Sequence, residues 1–243
     1  MMISFEQLKS FAFEFQNSIF RILLEKKFCV KNTEPMLFLG NNYSGYWFPK
    51  DLIDSRGTIW GVGLGHDSSF ELELMTLGYD FFGFEPEASC FKSSKKQFSG
   101  TDAVIENYGL WDKSGKFNYT GANISIVNIF NLNQKSEDFL DIRSLWDEAK
   151  FKNIEAQTRP RILKLNIEGA EREILLKFIE APLGFEVIIF QAEFLFHIGF
   201  KRIGKKISAC RDLFRILRGF QSNSWRIAHL SRHQITIIRN VSS

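Results

Sequence analysis

The sequence has few cysteines and no long apolar segment. Its 243 residues include three cysteines, Cys29, Cys90 and Cys210, which lie far apart and match no metal-binding spacing. An odd number of widely spaced cysteines is typical of reduced thiols, so we expect a cytoplasmic location and no metal site. No stretch approaches the ~20 consecutive apolar residues that a helix needs to cross a bilayer, so no membrane-spanning helix is predicted.

The sequence also lacks a large excess of charge of either sign. The 31 Lys and Arg residues against 28 Asp and Glu residues leave a net charge of +3. This excess is too small to indicate a nucleic-acid partner or an anionic membrane. A signal peptide is not predicted, because charged residues interrupt any apolar core near the start, at Glu6, Lys9 and Glu14. The length suits one main domain, predicted at 56–243, preceded by a segment at 1–55.

Residues 58–86 form the most informative segment, TIWGVGLGHDSSFELELMTLGYDFFGFEP. It is typical of a buried strand, a glycine turn, a helix and a second strand that ends at Glu85. Three glycines occupy the predicted turn, at Gly61, Gly63 and Gly65. Glycine is needed there because a Cβ atom would block the close approach of a ligand or forbid the backbone angles.

The helix after the turn and the acid after the second strand indicate how a ligand would be held. Ser68 and Glu71 have the Ser-x-x-Glu spacing of a capping box, which predicts the start of the helix. Free amides at that start can bind polar ligand atoms. Glu85 follows Gly65 by 20 residues. A strand-terminal carboxylate at this place can accept hydrogen bonds from both ribose hydroxyls of an adenosine ligand.

The spacing of the glycines distinguishes between two nucleoside cofactors. The dinucleotide fingerprint G-x-G-x-x-G would need a third glycine at position 66, which is His66 here. The observed G-x-G-x-G favours S-adenosylmethionine (SAM), which has no pyrophosphate, over NAD. An NAD-linked oxidoreductase is therefore the disfavoured alternative, and a glycine-rich turn that binds no ligand stays open.

A second motif, RILKLNIEGAEREILL at residues 161–176, has the same order of strand, turn and helix. Lys164 and Asn166 are polar positions in a strand that should be buried on both faces, so they need polar partners or belong to a site. Glu168 precedes the turn glycine at the carboxyl end of this strand, the edge at which open α/β sheets bind ligands. Glu193 ends the next predicted strand in the same way.

The remaining segments predict further elements. Residues 3–28 have the apolar spacing of an amphipathic helix, which would pack on the main domain or form a homodimer face. Contact with a membrane surface is disfavoured, because basic residues come only late in this segment. Residues 31–57 are predicted to be irregular, with the aromatic run at 45–49 covering the ligand site or packing elsewhere. A helix is predicted around 137–150. The segments 225–230 and 234–239 are predicted to close the sheet as a hairpin.

Together the two motifs resemble the FkbM-type class I SAM-dependent methyltransferases. GVGLGHDSSFE with FGFEPE is similar to the family variant glycine-x-glycine-x-Asp-x-Ser-Phe, and LKLNIEGAEREIL is similar to the signature Lys-Ile-Asp-x-Glu-Gly-Ala-Glu. The resemblance covers roughly residues 45–240. The chain departs from the family at two acids: Trp60 and Gly61 stand where the first strand often carries Asp, and Asn166 replaces the signature Asp.

The resemblance implies a fold and an activity. The fold would be α/β, a Rossmann-like and mostly parallel class I methyltransferase sheet with an antiparallel C-terminal hairpin strand, helices on both faces and an N-terminal helical extension. The activity would be methyl transfer from SAM to a hydroxyl of a sugar, glycan or other natural product. Because the two family acids are missing, the alternative is a non-catalytic methyltransferase-fold interaction module.

Two sets of residues are candidates for the site. A hydroxyl that attacks a methyl group must lose its proton to a carboxylate or an imidazole within hydrogen-bond reach. The candidates for that role are Glu168, Glu193, Asp67 and His197. The cofactor-binding candidates are Gly61, Gly63, Gly65, Asp67, Glu85, Trp111 and Asp112. The last two follow a predicted strand at 103–110, where SAM enzymes often hold adenine, although an exposed turn explains the same residues.

Overall fold

The computed structural model describes residues 22, 24–28, 35–53, 55–111, 114–118, 136–143, 160–167, 169–180, 183–192, 203–231 and 234–240. The strands in these ranges are β1 (Met36–Leu39), β2 (Tyr46–Pro49), β3 (Thr58–Val62), β4 (Asp80–Phe84), β5 (Val104–Glu106), β6 (Gly109–Trp111), β7 (Gly115–Asn118), β8 (Ser136–Asp141), β9 (Pro160–Leu165), β10 (Val187–Gln191), β11 (Trp225–Leu230) and β12 (Gln234–Arg239). The α-helices are α1 (Ser69–Thr76), α2 (Ala88–Gln97), α3 (Glu171–Glu180) and α4 (Ile203–Ser222). Residues 24–28 are also helical.

Seven strands form the central sheet in the order β11-β12-β10-β9-β3-β4-β5. β5, β4, β3, β9 and β10 pair in parallel, and β12 is antiparallel to its neighbours β10 and β11. The chain first extends the sheet on one side of β3 and later adds β9 and β10 on the other side. The predicted Rossmann-like sheet with an antiparallel strand in its closing hairpin is therefore confirmed, with both hairpin strands at the predicted residues.

Alternate side chains of the central strands enter two apolar layers. In β3, Trp60 and Val62 pack in the layer that contains α3 and α4. Ile59 packs in the other layer, with Phe70 and Leu74 of α1. Strand side chains alternate with a period of two, so a parallel strand that is covered on both faces is apolar along its whole length. Helices thus lie on both faces of the sheet, as predicted.

β1 and β2 form an antiparallel hairpin where irregular chain was predicted. β2 buries Tyr46 and Phe48 in the layer that contains α1. The amide of Trp47 donates to Gln234 Oε1 at 3.0 Å, and its carbonyl accepts from Thr236 Oγ1 at 3.1 Å. The prediction for residues 31–57 was wrong here because these strands are short and are stabilised by side chains of the distant β12.

Two further predictions were wrong in the described residues. The single strand predicted at 103–110 is divided between β5 and β6, which belong to different sheets. The first part of the helix predicted around 137–150 is instead β8, which lies between β6 and β7 in a second, three-stranded sheet, whereas residues 142–143 are helical as predicted. Strand pairing with β6 and β7 therefore overrides the local helical pattern. Residues 144–150 lie outside the described residues.

The end of the predicted N-terminal helix packs on the main sheet layer. Leu24 and Phe28 are buried beside α4, and Gln221 donates through Nε2 to the Phe28 carbonyl at 3.3 Å. This contact matches one of the two predicted roles of that helix, packing on the main domain. The homodimer and the domain division near residue 55 stay predictions. In the described part of the chain, no helix is long and apolar enough to cross a membrane.

Candidate functional site

The glycine turn lies at the carboxyl end of β3. Gly63 and Gly65 have φ angles of +75° and +62°, in the left-handed region that favours glycine. A Cβ on Gly63 would stand 1.9 Å from the carbonyl oxygen of Asn166, whereas a Cβ on Gly65 would meet nothing within 4 Å. Gly61 lies inside β3, where a Cβ would press on the Phe81 ring at 2.7 Å. Two of the three predicted cofactor glycines therefore shape the turn, and Gly61 serves packing.

This turn occupies the switch point of the sheet. β3 has β4 on one side and β9 on the other, and the two halves of the chain leave β3 in opposite directions. Open α/β sheets bind ligands in the crevice outside the carboxyl ends of the strands at such a point. The walls of the crevice are joined by backbone hydrogen bonds, since Asn166 N donates to Val62 O and Gly63 N donates to Phe84 O, both at 2.9 Å.

Glu85, at the end of β4, holds the glycine turn. The amides of Leu64 and Gly65 both donate to its Oε2 at 2.9 Å, and the amide of Glu87 donates to its Oε1 at 2.9 Å. The side chain is only 4% exposed. Burial raises the pKa of Glu85, although these hydrogen bonds oppose the rise. The carboxylate thus uses much of its acceptor capacity within the protein, and binding of ribose hydroxyls stays a prediction.

Lys164 is the second buried charge of the site. Its Nζ lies 2.9 Å from Glu71 Oε1 on α1 and donates to the Gly63 carbonyl at 2.9 Å. The same Nζ stands 5.3 Å from the centre of the Tyr46 ring. The side chains of the ion pair are 3% and 1% exposed. A strand lysine that the sequence indicated as needing a partner therefore ties β9, α1 and the glycine turn together.

The helix α1 begins where predicted, but the predicted capping box does not form there. Ser68 makes no side-chain hydrogen bond at the helix N-terminus, and Glu71 turns inward to Lys164. Instead Asp67 Oδ1 accepts from the Ser69 amide at 3.0 Å, and Gln97 Oε1 accepts from the Ser68 amide at 3.0 Å. The spacing of the box was present, but the buried lysine competes for the glutamate.

Asp67 is fixed by the loop of the β1–β2 hairpin. Asn41 donates through Nδ2 to Asp67 Oδ2 at 2.6 Å, and Ser44 and Ser69 hydroxyls lie 3.0 Å apart. Partial burial opposes ionisation of Asp67, but hydrogen bonds from Asn41, Ser69 and Ser44 outweigh it and lower its pKa. An acid with a lowered pKa and occupied oxygens is a weak proton acceptor, which makes Asp67 a better helix cap than a base.

Tyr46 links the hairpin to both sides of the crevice. Its ring lies 4.9 Å from that of Phe70 on α1, and its hydroxyl accepts from Gln191 Nε2, at the end of β10, at 3.1 Å. The aromatic run 45–49, for which covering the site and packing were both considered, packs here through β2. Sequence reasoning missed Tyr46 and Asn41, because their partners lie on elements far along the chain.

Asn166, in place of the acid of the resembled signature, carries a buried acceptor. Among the described residues, its Oδ1 has no hydrogen-bond partner. It follows the carboxyl end of β9, beside Gly63. A buried carbonyl oxygen without a donor costs free energy, so this atom is a candidate contact for an N–H or O–H group of a ligand.

For several predicted site residues the roles stay predictions. Glu168, Glu193, His197 and Asp112 lie outside the described residues. Trp111 lies in β6 and is 5% exposed within the apolar layer beside α3 and α4, so its role toward adenine stays a prediction.

The acidic and thiol groups near the turn do not form a metal centre. No group of three or more His, Cys, Asp and Glu side chains converges in the part of the chain that the structure describes. Cys90 Sγ lies 3.6 Å from His66 Nε2. Burial, followed by the nearby acids, raises the pKa of Cys90 to about 12, so this thiol is protonated at neutral pH.

Comparison with solved structures gives several methyltransferases among its matches. A ribosomal protein L11 methylase from Lactobacillus delbrueckii subsp. bulgaricus is 11% identical, over 93% of this chain and 80% of that chain, with a TM-score of 0.39. The methyltransferase domain of METTL16 is 13% identical over 91% and 93%, with a TM-score of 0.39. The plantazolicin methyltransferase BpumL, in complex with SAH, is 11% identical over 76% of each chain, with a TM-score of 0.36. Comparison with protein-family models gave no match. Comparison with curated protein sequences gave none either.

Proposed function

We propose that this chain is a SAM-dependent methyltransferase. The main support is that backbone amides of the glycine turn and of the start of α1 donate hydrogen bonds to carboxylates of the protein itself. Leu64 and Gly65 donate to Glu85, and Ser69 donates to Asp67. In a dinucleotide site, such amides are left for the pyrophosphate. Here two carboxylates take them, so the crevice is anionic and suits a cationic sulfonium better than a pyrophosphate.

Two observations support the fit of SAM to these residues. The space beside Gly65 is open, since an added Cβ would meet nothing within 4 Å, so a ligand can approach the backbone there. Asn166 Oδ1 offers a buried acceptor on the opposite side of the switch point. Glu85 Oε1 accepts one amide hydrogen bond among the described residues, from Glu87, so its remaining lone pair and Asn166 Oδ1 are the acceptors that a ligand donor would use. Bound SAM supplies an electrophilic methyl group.

The finer proposal is methylation of a hydroxyl oxygen on a sugar, glycan or other natural product, and it rests on the resemblance to the FkbM-type methyltransferases. The new bond joins the acceptor oxygen to the methyl carbon while the carbon–sulfur bond breaks. The hydroxyl proton passes to a base, for which we keep Glu168 first, then Glu193 and His197. Asp67 is the weakest of the four candidates, because Asn41 and Ser69 occupy its oxygens.

Calorimetric titration of the purified protein with SAM, S-adenosylhomocysteine and NADH tests the cofactor. We expect both sulfur ligands to bind and NADH not to. Glu85→Gln places an amide donor against the amides of the turn and should weaken SAM binding at least about tenfold. Glu106→Gln is the matched control, since this exposed acid ends the neighbouring β5 and leaves the turn untouched.

Two results would overturn the cofactor assignment: no binding of either sulfur ligand by folded protein, or tighter binding of NADH. If SAM binds, transfer of a labelled methyl group to sugars and glycans tests the acceptor class. In that assay, Glu168→Gln should abolish turnover while SAM still binds. An unchanged turnover would remove Glu168 from the reaction.

A further inference from the structure

A recess between α4 and the helical residues 24–28 is lined, among the described residues, by four cations and one aromatic ring, none of them part of the glycine turn. Its volume is about 430 Å³, and it is formed by Lys27, Arg211, Phe214, Arg215 and Arg218. Three of these cations lie on α4 at helical spacings of four and three residues, which places them on one face. The fourth comes from the helical residues 24–28 that pack on α4.

Three of these four cations have no carboxylate partner in the part of the chain that the structure describes. Arg215 lies 3.5 Å from Glu180, an exposed pair in which both side chains are more than half accessible. Among the described residues, no acid lies within ion-pair distance of Lys27, Arg211 or Arg218. Like charges at these helical spacings destabilise a helix. Arg172 on α3, by contrast, is paired with Asp212 of α4 at 2.7 Å.

The three arginines of α4 form a short row, which indicates a small ligand. The positions that continue the same face of α4 are Gly204 and Ile207 before this row and Ser222 after it, and all three are neutral. The arginines therefore lie within eight residues, and the first and last are about 10 Å apart along the helix at ~1.5 Å per residue. A nucleic-acid strand would gain from a longer basic track. Phe214, half-buried against Phe28 with ring centres 5.6 Å apart, adds an apolar wall.

We propose that this recess binds the diphosphate group of a small organic diphosphate, of the nucleoside diphosphate class. Guanidinium groups bind phosphate oxygens in pairs of charge-assisted hydrogen bonds, and four cations match a group with several negative charges better than a single carboxylate. The wall formed by Phe214 can contact the organic part. This site is separate from the proposed methyltransferase site and does not depend on it.

Isothermal titration with inorganic pyrophosphate, with UDP and with uridine tests the proposal on the full chain. Pyrophosphate and UDP should bind saturably and uridine should not. Saturating S-adenosylhomocysteine should leave both affinities unchanged, because the recess is separate from the glycine turn. Arg211→Gln/Arg218→Gln should weaken pyrophosphate binding at least about tenfold, because two guanidinium groups that donate charge-assisted hydrogen bonds to phosphate oxygens are lost.

The matched control is Lys95→Gln/Lys96→Gln on α2, which removes the same charge from two exposed lysines elsewhere. This control should keep wild-type affinity, and both arginine positions are exposed, so thermal unfolding should show both variants folded. The proposal is overturned if wild-type protein binds neither pyrophosphate nor UDP, or if both variants lose affinity equally. It is also overturned if only a long single-stranded RNA binds, with affinity that grows with its length, because the occupant would then be a polymer.

Discussion

Replacing one member of the Lys164–Glu71 pair should destabilise the protein strongly. Glu71→Leu leaves the ammonium of Lys164 buried with one carbonyl acceptor, and breaking a buried pair in this way typically costs about 3–5 kcal/mol. Solvent does not reduce this value, because the side chains are only 3% and 1% exposed. For a chain of this size, each kcal/mol lowers the melting temperature by ~2–4 °C, so we expect a fall of about 6–20 °C.

Urea unfolding of four proteins measures the coupling within the pair: wild type, Glu71→Leu, Lys164→Met and the double variant. The double variant leaves no uncompensated charge, and apolar replacement of a buried pair is often neutral or stabilising. It does leave the Gly63 carbonyl without its donor, which costs about 0.5–1.5 kcal/mol. We therefore expect the double variant to be more stable than either single variant, and the interaction energy of the cycle to be large.

The Arg161–Glu186 pair provides a control at the opposite end of the same strand, β9. Its side chains are 30% and 36% exposed, so Glu186→Gln should cost at most about 1 kcal/mol. The reasoning is refuted if Glu71→Leu costs no more than Glu186→Gln. It is also refuted if the effects of Glu71→Leu and Lys164→Met simply add in the double variant.

Three further changes have defined outcomes. Gly63→Ala should destabilise far more than Gly65→Ala in urea, because only the first places a Cβ 1.9 Å from a backbone oxygen, while both bear the ~1–2 kcal/mol of a left-handed φ. Burial lowers the pKa of His229 to about 4 from 6.5, so the unfolded chain binds more protons in that window. The free energy of unfolding should therefore fall as pH drops from 6.5 to 4, and His229→Phe should reduce this slope. Glu87 caps α2 by accepting from the amides of its first turn, so Glu87→Ala should cost about 1 kcal/mol.

Each of these predictions has a contradicting result. Equal loss of stability in the two alanine variants would show that the clash at Gly63 is relieved by movement of β9. An unchanged pH slope in His229→Phe would mean that other groups titrate in that window. Wild-type stability of Glu87→Ala would show that water or neighbouring side chains replace the cap at no cost.

The sequence predicted the elements whose signals are local. The turn at Gly63 and Gly65, the strand that ends at Glu85 and the closing hairpin all follow from short patterns of apolar residues and glycines, and these elements lie where expected. The sequence also indicated that Lys164 required a partner. Local signals sufficed here because each run of apolar residues ends at residue types that favour turns, such as the glycines that adopt a left-handed backbone readily.

The errors arose where distant residues decide the structure. Glu71 had the spacing of a helix cap, yet the buried Lys164 takes its carboxylate, because leaving that charge unpaired costs more than losing a cap. The hairpin strand that contains Tyr46 was missed because it is anchored by side chains of β12. Asp67 was proposed as a base from its place after the turn, and only the contact with Asn41 shows its role in the loop.

The pairing of β2 with side chains of β12 has a consequence for biosynthesis. Trp47 meets its partners 187 and 189 residues later in the chain. At a synthesis rate of about 5–20 residues per second, roughly 10–40 s pass between the synthesis of the hairpin and that of those partners. During that time the Trp47 ring also lacks His229 of β11, on which it stacks in the folded protein with ring centres 5.1 Å apart. The β1–β2 hairpin is thus synthesised well before the contacts that complete it.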